Sequence, residues 1–161
     1  MSPQCRTRDA GFTLVEMVVV VLIVSILASA AMPLAALHKR RAQEAELRLS
    51  LRTLRQALDD YKRAWDAGRI EKKADASGYP PDLDVLVIGV RDITDPKGRR
   101  IHFLRRLPRD PFADPQWPAT QTWGRRSYAS PADAPAAGAD VYDVYSMTPG
   151  VGLDGTPYRQ W

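Results

Sequence analysis

An apolar run near the N-terminus constrains this chain more than any other feature. Across residues 12–37 the sequence contains one charged residue, Glu16. A helix of about 20 such residues, rising about 1.5 Å per residue, crosses the roughly 30 Å hydrocarbon core of a bilayer. An ionisable group inside such a span costs at least ~2.5 kcal/mol, so it is usually kept for a partner or a function. The run therefore predicts a membrane-spanning helix over residues 12–37 in which Glu16 has a purpose.

The residues at the start of this run form a specific motif. Gly11 ends a short leader that contains two arginines, Phe12 is followed by Thr-Leu-Val-Glu, and Pro33 lies near the end of the run. At these residues the chain resembles the type IV pilin family, which includes the pseudopilins of type II secretion systems. The resemblance implies that a prepilin peptidase cleaves between Gly11 and Phe12, that the leader of residues 1–11 is removed, and that Phe12 is N-methylated.

The resemblance also implies assembly roles for Glu16 and Pro33. Glu16 would neutralise the positive N-terminus of a neighbouring subunit in a helical filament, and Pro33 would let the helix melt locally there. The physics agrees for Glu16, because a buried carboxylate needs a cation and a newly freed amine supplies one. Since proline lacks an amide donor, we expect a looser or kinked helix near residues 29–33. The alternative is a proline that the membrane helix merely tolerates.

The charges that flank the span give a conflicting orientation. Three basic residues at positions 39–41 follow the span and outnumber the two that precede it, Arg6 and Arg8. Because positive residues normally stay in the cytoplasm, this charge bias alone places the N-terminus outside. The resemblance implies the reverse orientation. It predicts a single-pass protein of the bacterial inner membrane with the domain of residues 38–161 in the periplasm.

Beyond the span, the pattern changes to that of an amphipathic helix. Six apolar residues recur at steps of four and three and share one helical stripe: Leu47, Leu51, Leu54, Leu58, Tyr61 and Trp65. A coiled-coil seam would have the same spacing. We favour a helix laid against a sheet, because the residues that follow need a surface to pack on. The helix should end near Gly68.

The remaining sequence predicts one short helix and several antiparallel strands. Asp82 follows two prolines and can cap a short helix that begins at Leu83. Strands are predicted within the segments 99–104, 123–130 and 141–147, because strand-forming residues there lie next to a turn at residues 95–98 and a loop at residues 133–139. The predicted class is α+β: a long N-terminal helix, transmembrane in its first half, packed on a three- to four-stranded antiparallel sheet, the pilin and pseudopilin fold.

The C-terminal half resembles a major pseudopilin of type II secretion more than a pilin of the kind closed by a terminal cysteine pair. The segments that carry the likeness are 78–81, 104–112, 123–124, 143–146 and 154–161. The resemblance implies a structural subunit of a periplasmic pseudopilus, polymerised through its N-terminal helix. Its partners would be further copies of itself, other pseudopilins, the prepilin peptidase, the inner-membrane assembly platform and the membrane.

The alternative function is that of a minor pilin or uptake pilin that binds DNA or another ligand. Its contacts would come from arginines of the outer domain: Arg99, Arg100, Arg105, Arg106, Arg109, Arg125 and Arg126. The formal net charge is only +4, and the leader accounts for +1 of it with two arginines and one aspartate. Such a modest charge does not predict nucleic-acid binding by itself.

The resemblance further implies a calcium site in the C-terminal loop, with Asp143, Ser146 and Asp154 as the candidate ligands. Calcium takes about six to eight oxygen ligands, normally including several carboxylates. After Ser146 the chain offers a single carboxylate side chain, that of Asp154. A turn defined by proline and glycine is therefore the alternative to a metal site, and no other cofactor is expected.

Catalytic motifs are not evident in the sequence. The single cysteine, Cys5, lies in the leader, and neither His38 nor His102 has a companion in a nucleophilic or metal-binding motif. We expect His102 to be a partly buried strand residue. There is also no glycine-rich phosphate loop and no nucleophile elbow. The chain is therefore expected to be the substrate of a peptidase and not an enzyme.

Overall fold

The long helix α1 is the largest element of the structure, a computed structural model that describes residues 12–161. It spans Leu14–Asp66. The predicted end near Gly68 is confirmed: this glycine has a φ of 70°, and its amide and the next one bond to the carbonyls of Trp65 and Ala64 at 2.9 and 3.0 Å. This pair of bonds is a Schellman motif, in which glycine adopts the left-handed conformation without strain.

The chain divides into two compact units between Arg40 and Arg41. In the first unit, from Phe12 onward, α1 is apolar and long enough to cross a membrane, judged by its length and composition. The hydroxyls of Ser25 and Ser29 donate to carbonyls four and three residues earlier in the helix, each at 2.7 Å. These serines therefore satisfy their own polar groups, which suits an apolar surrounding.

The apolar stripe of α1 forms one side of the core of the second unit. The first five stripe residues are buried and Trp65 is partly buried. They pack with buried residues from the rest of this unit: Ile70, Leu83, Leu86, Trp123, Val141, Val144 and Tyr158. Because Trp123 of the strand Trp123–Arg126 and Val144 of the strand Asp143–Ser146 are among the residues that cover the stripe, the prediction of a helix laid against strands is confirmed over that of a coiled-coil seam.

Short elements complete the second unit. They are the helix α2 (Asp84–Ile88), the strands β1 (Val90–Arg91), β2 (Arg100–Ile101), β3 (Trp123–Arg126) and β4 (Asp143–Ser146), and two 3-10 helices (Ala119–Gln121 and Tyr158–Gln160). Strand β1 pairs antiparallel with β2, and β3 pairs antiparallel with β4. The Asp82 carboxylate accepts the Val85 amide at 3.0 Å, which confirms the capping role predicted for Asp82.

The α+β class is confirmed, but the pairing of the strands differs from the predicted single sheet. The four strands form two separate two-stranded sheets instead of one sheet of three or four strands. The segment between β2 and β3 contains four prolines: Pro108, Pro111, Pro115 and Pro118. Since proline has no amide to donate to a ladder, this segment connects the two pairs without adding a strand that would join them.

An ion pair between the exposed Arg69, just beyond the end of α1, and the buried Asp92 fastens the β1–β2 hairpin to this part of the chain. Arg69 donates to Asp92 through Nη2 at 2.6 Å, and its carbonyl accepts the Ile93 amide at 2.9 Å. Thr94 Oγ1 also donates to Asp92, at 2.6 Å. The hydrogen bonds from Thr94 and Arg69 lower the pKa of the Asp92 carboxyl from 3.8 to about 2. Asp92 is therefore held as a carboxylate by its neighbours.

This lowered pKa predicts an acid-dependent stability. The carboxylate is favoured in the folded chain, so its contribution is complete above the unfolded-state pKa of 3.8 and is lost as the pH falls towards about 2. We expect Asp92→Asn to lower the melting temperature at neutral pH and to flatten its acid dependence in that window. Melting curves measured against pH test this. Asp133→Asn, at an exposed position, is the control and should leave the profile unchanged; matching profiles for the two variants would contradict the prediction.

Candidate functional site

Glu16 lies in the first turn of α1, where Thr13 caps the helix. Thr13 Oγ1 accepts the Glu16 amide at 3.2 Å, and the Thr13 carbonyl accepts the Met17 amide at 3.2 Å. The capping role of Thr13 was not predicted from the sequence, although threonine followed three residues later by glutamate is a capping-box signature. A carboxylate in the first turn also interacts favourably with the helix dipole.

The Glu16 carboxylate is exposed and so are the apolar side chains around it. An exposed carboxylate among apolar residues is unfavourable in a membrane, and it can form an ion pair with a cation of another chain. Phe12 is also exposed and precedes the helix, whereas Gly11 lies outside the described residues. Cleavage after Gly11 and methylation of Phe12 therefore stay predictions.

Pro33 lies inside α1, and the helix continues on both sides of it. Its missing amide leaves the carbonyl four residues earlier, that of Ser29, without the usual backbone donor. In this single subunit, that loss does not end the helix. Melting of the helix near Pro33 within a filament stays a prediction.

The three candidate calcium ligands make other contacts. Asp143 Oδ1 accepts Arg55 Nε at 2.8 Å. Asp154 Oδ2 accepts Arg48 Nη2 at 2.8 Å, and the Thr156 amide together with Arg48 lowers the pKa of this carboxyl. Ser146 is buried and donates its hydroxyl to another aspartate. Each of the two candidate carboxylates is thus already paired with a cation.

These contacts do not fit a calcium site. Among the described residues no group of three or more His, Cys, Asp or Glu side chains is arranged to hold a metal ion. Within the same residues, the buried side-chain polar atom that lacks a hydrogen-bond partner is Trp161 Nε1. An indole N–H is a donor only, so it does not ligate a cation. The side chains of Asp143, Ser146 and Asp154 serve as hydrogen-bond and ion-pair partners within the fold.

Two buried acidic residues have structural roles that sequence patterns did not reveal. Asp110 accepts the Ser146 hydroxyl and the Phe112 amide, the latter at 2.8 Å. Glu44, on α1, accepts the Leu153 amide at 3.0 Å and the Tyr158 hydroxyl at 2.9 Å. Glu44 does carry one usable signal, because it lies three residues before Leu47 and therefore on the buried side of the helix.

The seven arginines that would bind DNA or another ligand in the alternative function are not all available for such contacts. Arg99 pairs with Asp95, and three others make hydrogen bonds inside the domain: Arg100, Arg109 and Arg126. The remaining three are exposed: Arg105, Arg106 and Arg125. With more than half of the set engaged within the fold, the structure provides no specific support for nucleic-acid binding.

The expectation that His102 is a partly buried strand residue is wrong. Strand β2 ends at Ile101, and the His102 side chain is exposed. It packs close to Gly89, where an added Cβ would lie 2.9 Å from the imidazole Cδ2. The histidine therefore lies over Gly89, just before the β1–β2 hairpin, where the backbone at Gly89 comes close to that at Ile101.

Known proteins resemble the chain both at its N-terminus and along most of its length. The family model for the prokaryotic N-terminal methylation motif matches residues 6–32. Type II secretion system core protein G of Vibrio cholerae is 32% identical over 152 residues, which are 92% of this chain and 83% of that protein. Proteins of the same name from Pseudomonas aeruginosa (30% over 141 residues, 84% and 92%) and Aeromonas hydrophila (32% over 114 residues, 68% and 72%) are also similar. No solved structure matched the chain.

Proposed function

The chain belongs to the family of type II secretion system core protein G, the G-type pseudopilins, and we propose that it is a structural subunit of a periplasmic pseudopilus in type II secretion. The observation that carries the proposal is similarity to core protein G over 92% of the chain, together with the methylation motif over residues 6–32. The proposed role is mechanical and not catalytic. Growth of the filament would push secreted proteins outward.

In the proposed assembly, the prepilin peptidase cleaves after Gly11, Phe12 is methylated, and residues 12–37 hold the subunit in the inner membrane until it polymerises. The exposed apolar side chains of this segment find an equally apolar surrounding in lipid and among other helices, so apolar burial alone does not favour the filament. A specific polar contact then directs assembly. Glu16 with a neighbour's terminal amine is such a contact, and Pro33 would allow the helix to adjust.

The proposed orientation places the second unit in the periplasm and the leader in the cytoplasm. The basic residues at 39–41 oppose this orientation, because positive charge normally stays inside. The methylation motif supports it, since the resemblance places the leader on the cytoplasmic side. Other pseudopilins and an inner-membrane assembly platform are the proposed partners.

Processing provides the first test. The small residue before the cut lets the peptidase approach the backbone, so we expect Gly11→Leu to retain the leader. Intact-mass spectrometry of the full chain, isolated from the membranes of cells that contain a prepilin peptidase, should show a methylated Phe12 terminus for the wild type. The variant should keep residues 1–11.

Cells without the peptidase are the control, and there the wild type should also keep its leader. A wild-type protein that begins at Met1 or Ser2 in peptidase-containing cells would contradict the proposed function. Cleavage of Gly11→Leu as efficient as that of the wild type would contradict the role of Gly11 alone.

A further inference from the structure

Two arginines of α1 contact the C-terminal segment, here defined as residues 147–161. Arg48 Nη2 lies 2.8 Å from Asp154 Oδ2. The same guanidinium lies over the indole of Trp161, with its Cζ 4.0 Å from the ring centroid. Arg48 therefore makes both an ion pair and a cation–π contact with the C-terminal segment, and both contacts restrain that segment against α1.

Arg55, two helical turns further along the same helix, joins β4 to the end of this segment. Its Nε donates to Asp143 Oδ1 at 2.8 Å. Its Nη2 donates to the main-chain oxygens of Val144 and Trp161 at 3.2 and 2.6 Å. One planar guanidinium thus bridges three oxygens, which is the fork geometry that arginine offers and lysine does not.

We propose that these two guanidinium groups, and not a bound calcium ion, hold the C-terminal segment of this chain in place. We call Arg48 and Arg55 the guanidinium clamp. The clamp uses the carboxylates of Asp143 and Asp154, two of the three side chains that the sequence suggested for calcium. Because its cations are part of α1, the clamp does not depend on the concentration of a free ion.

The polarity of the loop itself agrees with this inference. A calcium loop directs carboxylate and carbonyl oxygens towards the ion. Here the segment also directs donors towards α1, since the Leu153 amide and the Tyr158 hydroxyl bond to the Glu44 carboxylate. The turn is closed by main-chain bonds of 2.8 Å from Gly152 to Thr156 and 3.0 Å from Gly155 to Gly152. The Glu44 side chain and the two guanidinium groups, all on α1, therefore contact the segment together.

Hydrogen exchange tests the clamp locally, because the amides of Gly152, Leu153 and Tyr158 are bonded inside or beneath the segment. Exchange is followed by mass spectrometry in the full chain, held in detergent micelles, either with calcium or with a chelator. The variants are Arg48→Met and Arg55→Met, which remove the cation and keep an apolar stem. Arg52→Met is the matched control, because Arg52 is exposed and lies between the two on the helix.

We expect exchange of the C-terminal segment to become several-fold faster in Arg48→Met and in Arg55→Met, and to be unchanged in Arg52→Met. The wild type should exchange at the same rate with calcium and with the chelator. Slower exchange of the wild-type segment in calcium would overturn the inference in favour of a metal site. Equal rates in all three variants would overturn it as well, since the segment would then be held without the clamp.

Discussion

Replacing Glu16 with alanine is expected to abolish filament assembly while leaving the subunit folded and inserted in the membrane. Removing a charge from an apolar span makes insertion easier. The filament would instead bury the neighbour's terminal ammonium without its carboxylate. Breaking one buried pair in this way costs about 3–5 kcal/mol, and the loss recurs at every subunit. Growth should therefore stop although each subunit is intact.

The measurement is cross-linking of cells that produce the wild type or Glu16→Ala, with the ladders of multimers compared and leader cleavage followed in the same samples. Thr13→Ala is the informative control, because Thr13 Oγ1 bonds to the Glu16 amide and caps α1. Loss of a cap costs only about 1 kcal/mol. If Glu16 acts through an intersubunit pair, Thr13→Ala should assemble and Glu16→Ala should not.

Equal ladders from Glu16→Ala and the wild type would mean that Glu16 does not direct polymerisation. The chain would then be better described as a membrane-anchored domain that does not assemble through this residue. Equal loss in Glu16→Ala and Thr13→Ala would indicate that the helix N-terminus matters and that the charge of Glu16 does not. The two variants thus separate an intersubunit role from a local structural one.

The parts of the fold that follow from local patterns could be predicted from the sequence. The stripe from Leu47 to Tyr61 has a helical period, Gly68 supplies the left-handed residue that ends α1, and Asp82 caps α2. Each of these signals acts over a few residues. A sequence pattern reveals them because the atoms that interact are neighbours along the chain.

Contacts between distant parts of the chain could not be predicted in this way. Arg48 and Arg55 lie off the apolar stripe, which suggests solvated side chains, yet their partners are 88 to 106 residues away. The hydrogen bond between Asp110 and Ser146 likewise joins residues that are 36 positions apart, so no local pattern reveals it. The sequence suggested Asp143, Ser146 and Asp154 as calcium ligands because they carry side-chain oxygens, whereas the arginines and the aspartate that they contact could be found only in the folded chain.

Glu44→Ala is expected to cause a large loss of stability although Glu44 is not part of the apolar core. Glu44 is 2% exposed, and its Oε1 accepts both the Leu153 amide and the Tyr158 hydroxyl. Alanine would leave two donors without this acceptor, at about 1–3 kcal/mol for each unsatisfied group. The free energy of unfolding should fall by about 2–6 kcal/mol, and the melting temperature by roughly 10 °C.

Denaturant unfolding of the full chain in micelles measures this loss, and two variants locate its cause. Glu44→Gln keeps a side-chain oxygen acceptor and should recover part of the stability, whereas Glu46→Ala alters an exposed position of the same helix and should change little. A loss in Glu44→Ala no larger than that in Glu46→Ala would refute the role assigned to the buried carboxylate.

A double-mutant cycle with Tyr158→Phe then isolates the longest-range of these contacts. The phenylalanine keeps the ring that stacks on Phe112, 4.7 Å between centroids, and removes only the hydroxyl that Glu44 accepts. Because the two substitutions disrupt the same hydrogen bond, their combined effect should be smaller than the sum of the single effects. Strictly additive losses would show that Glu44 stabilises the chain through its other contacts and that the bond across 114 residues contributes nothing measurable.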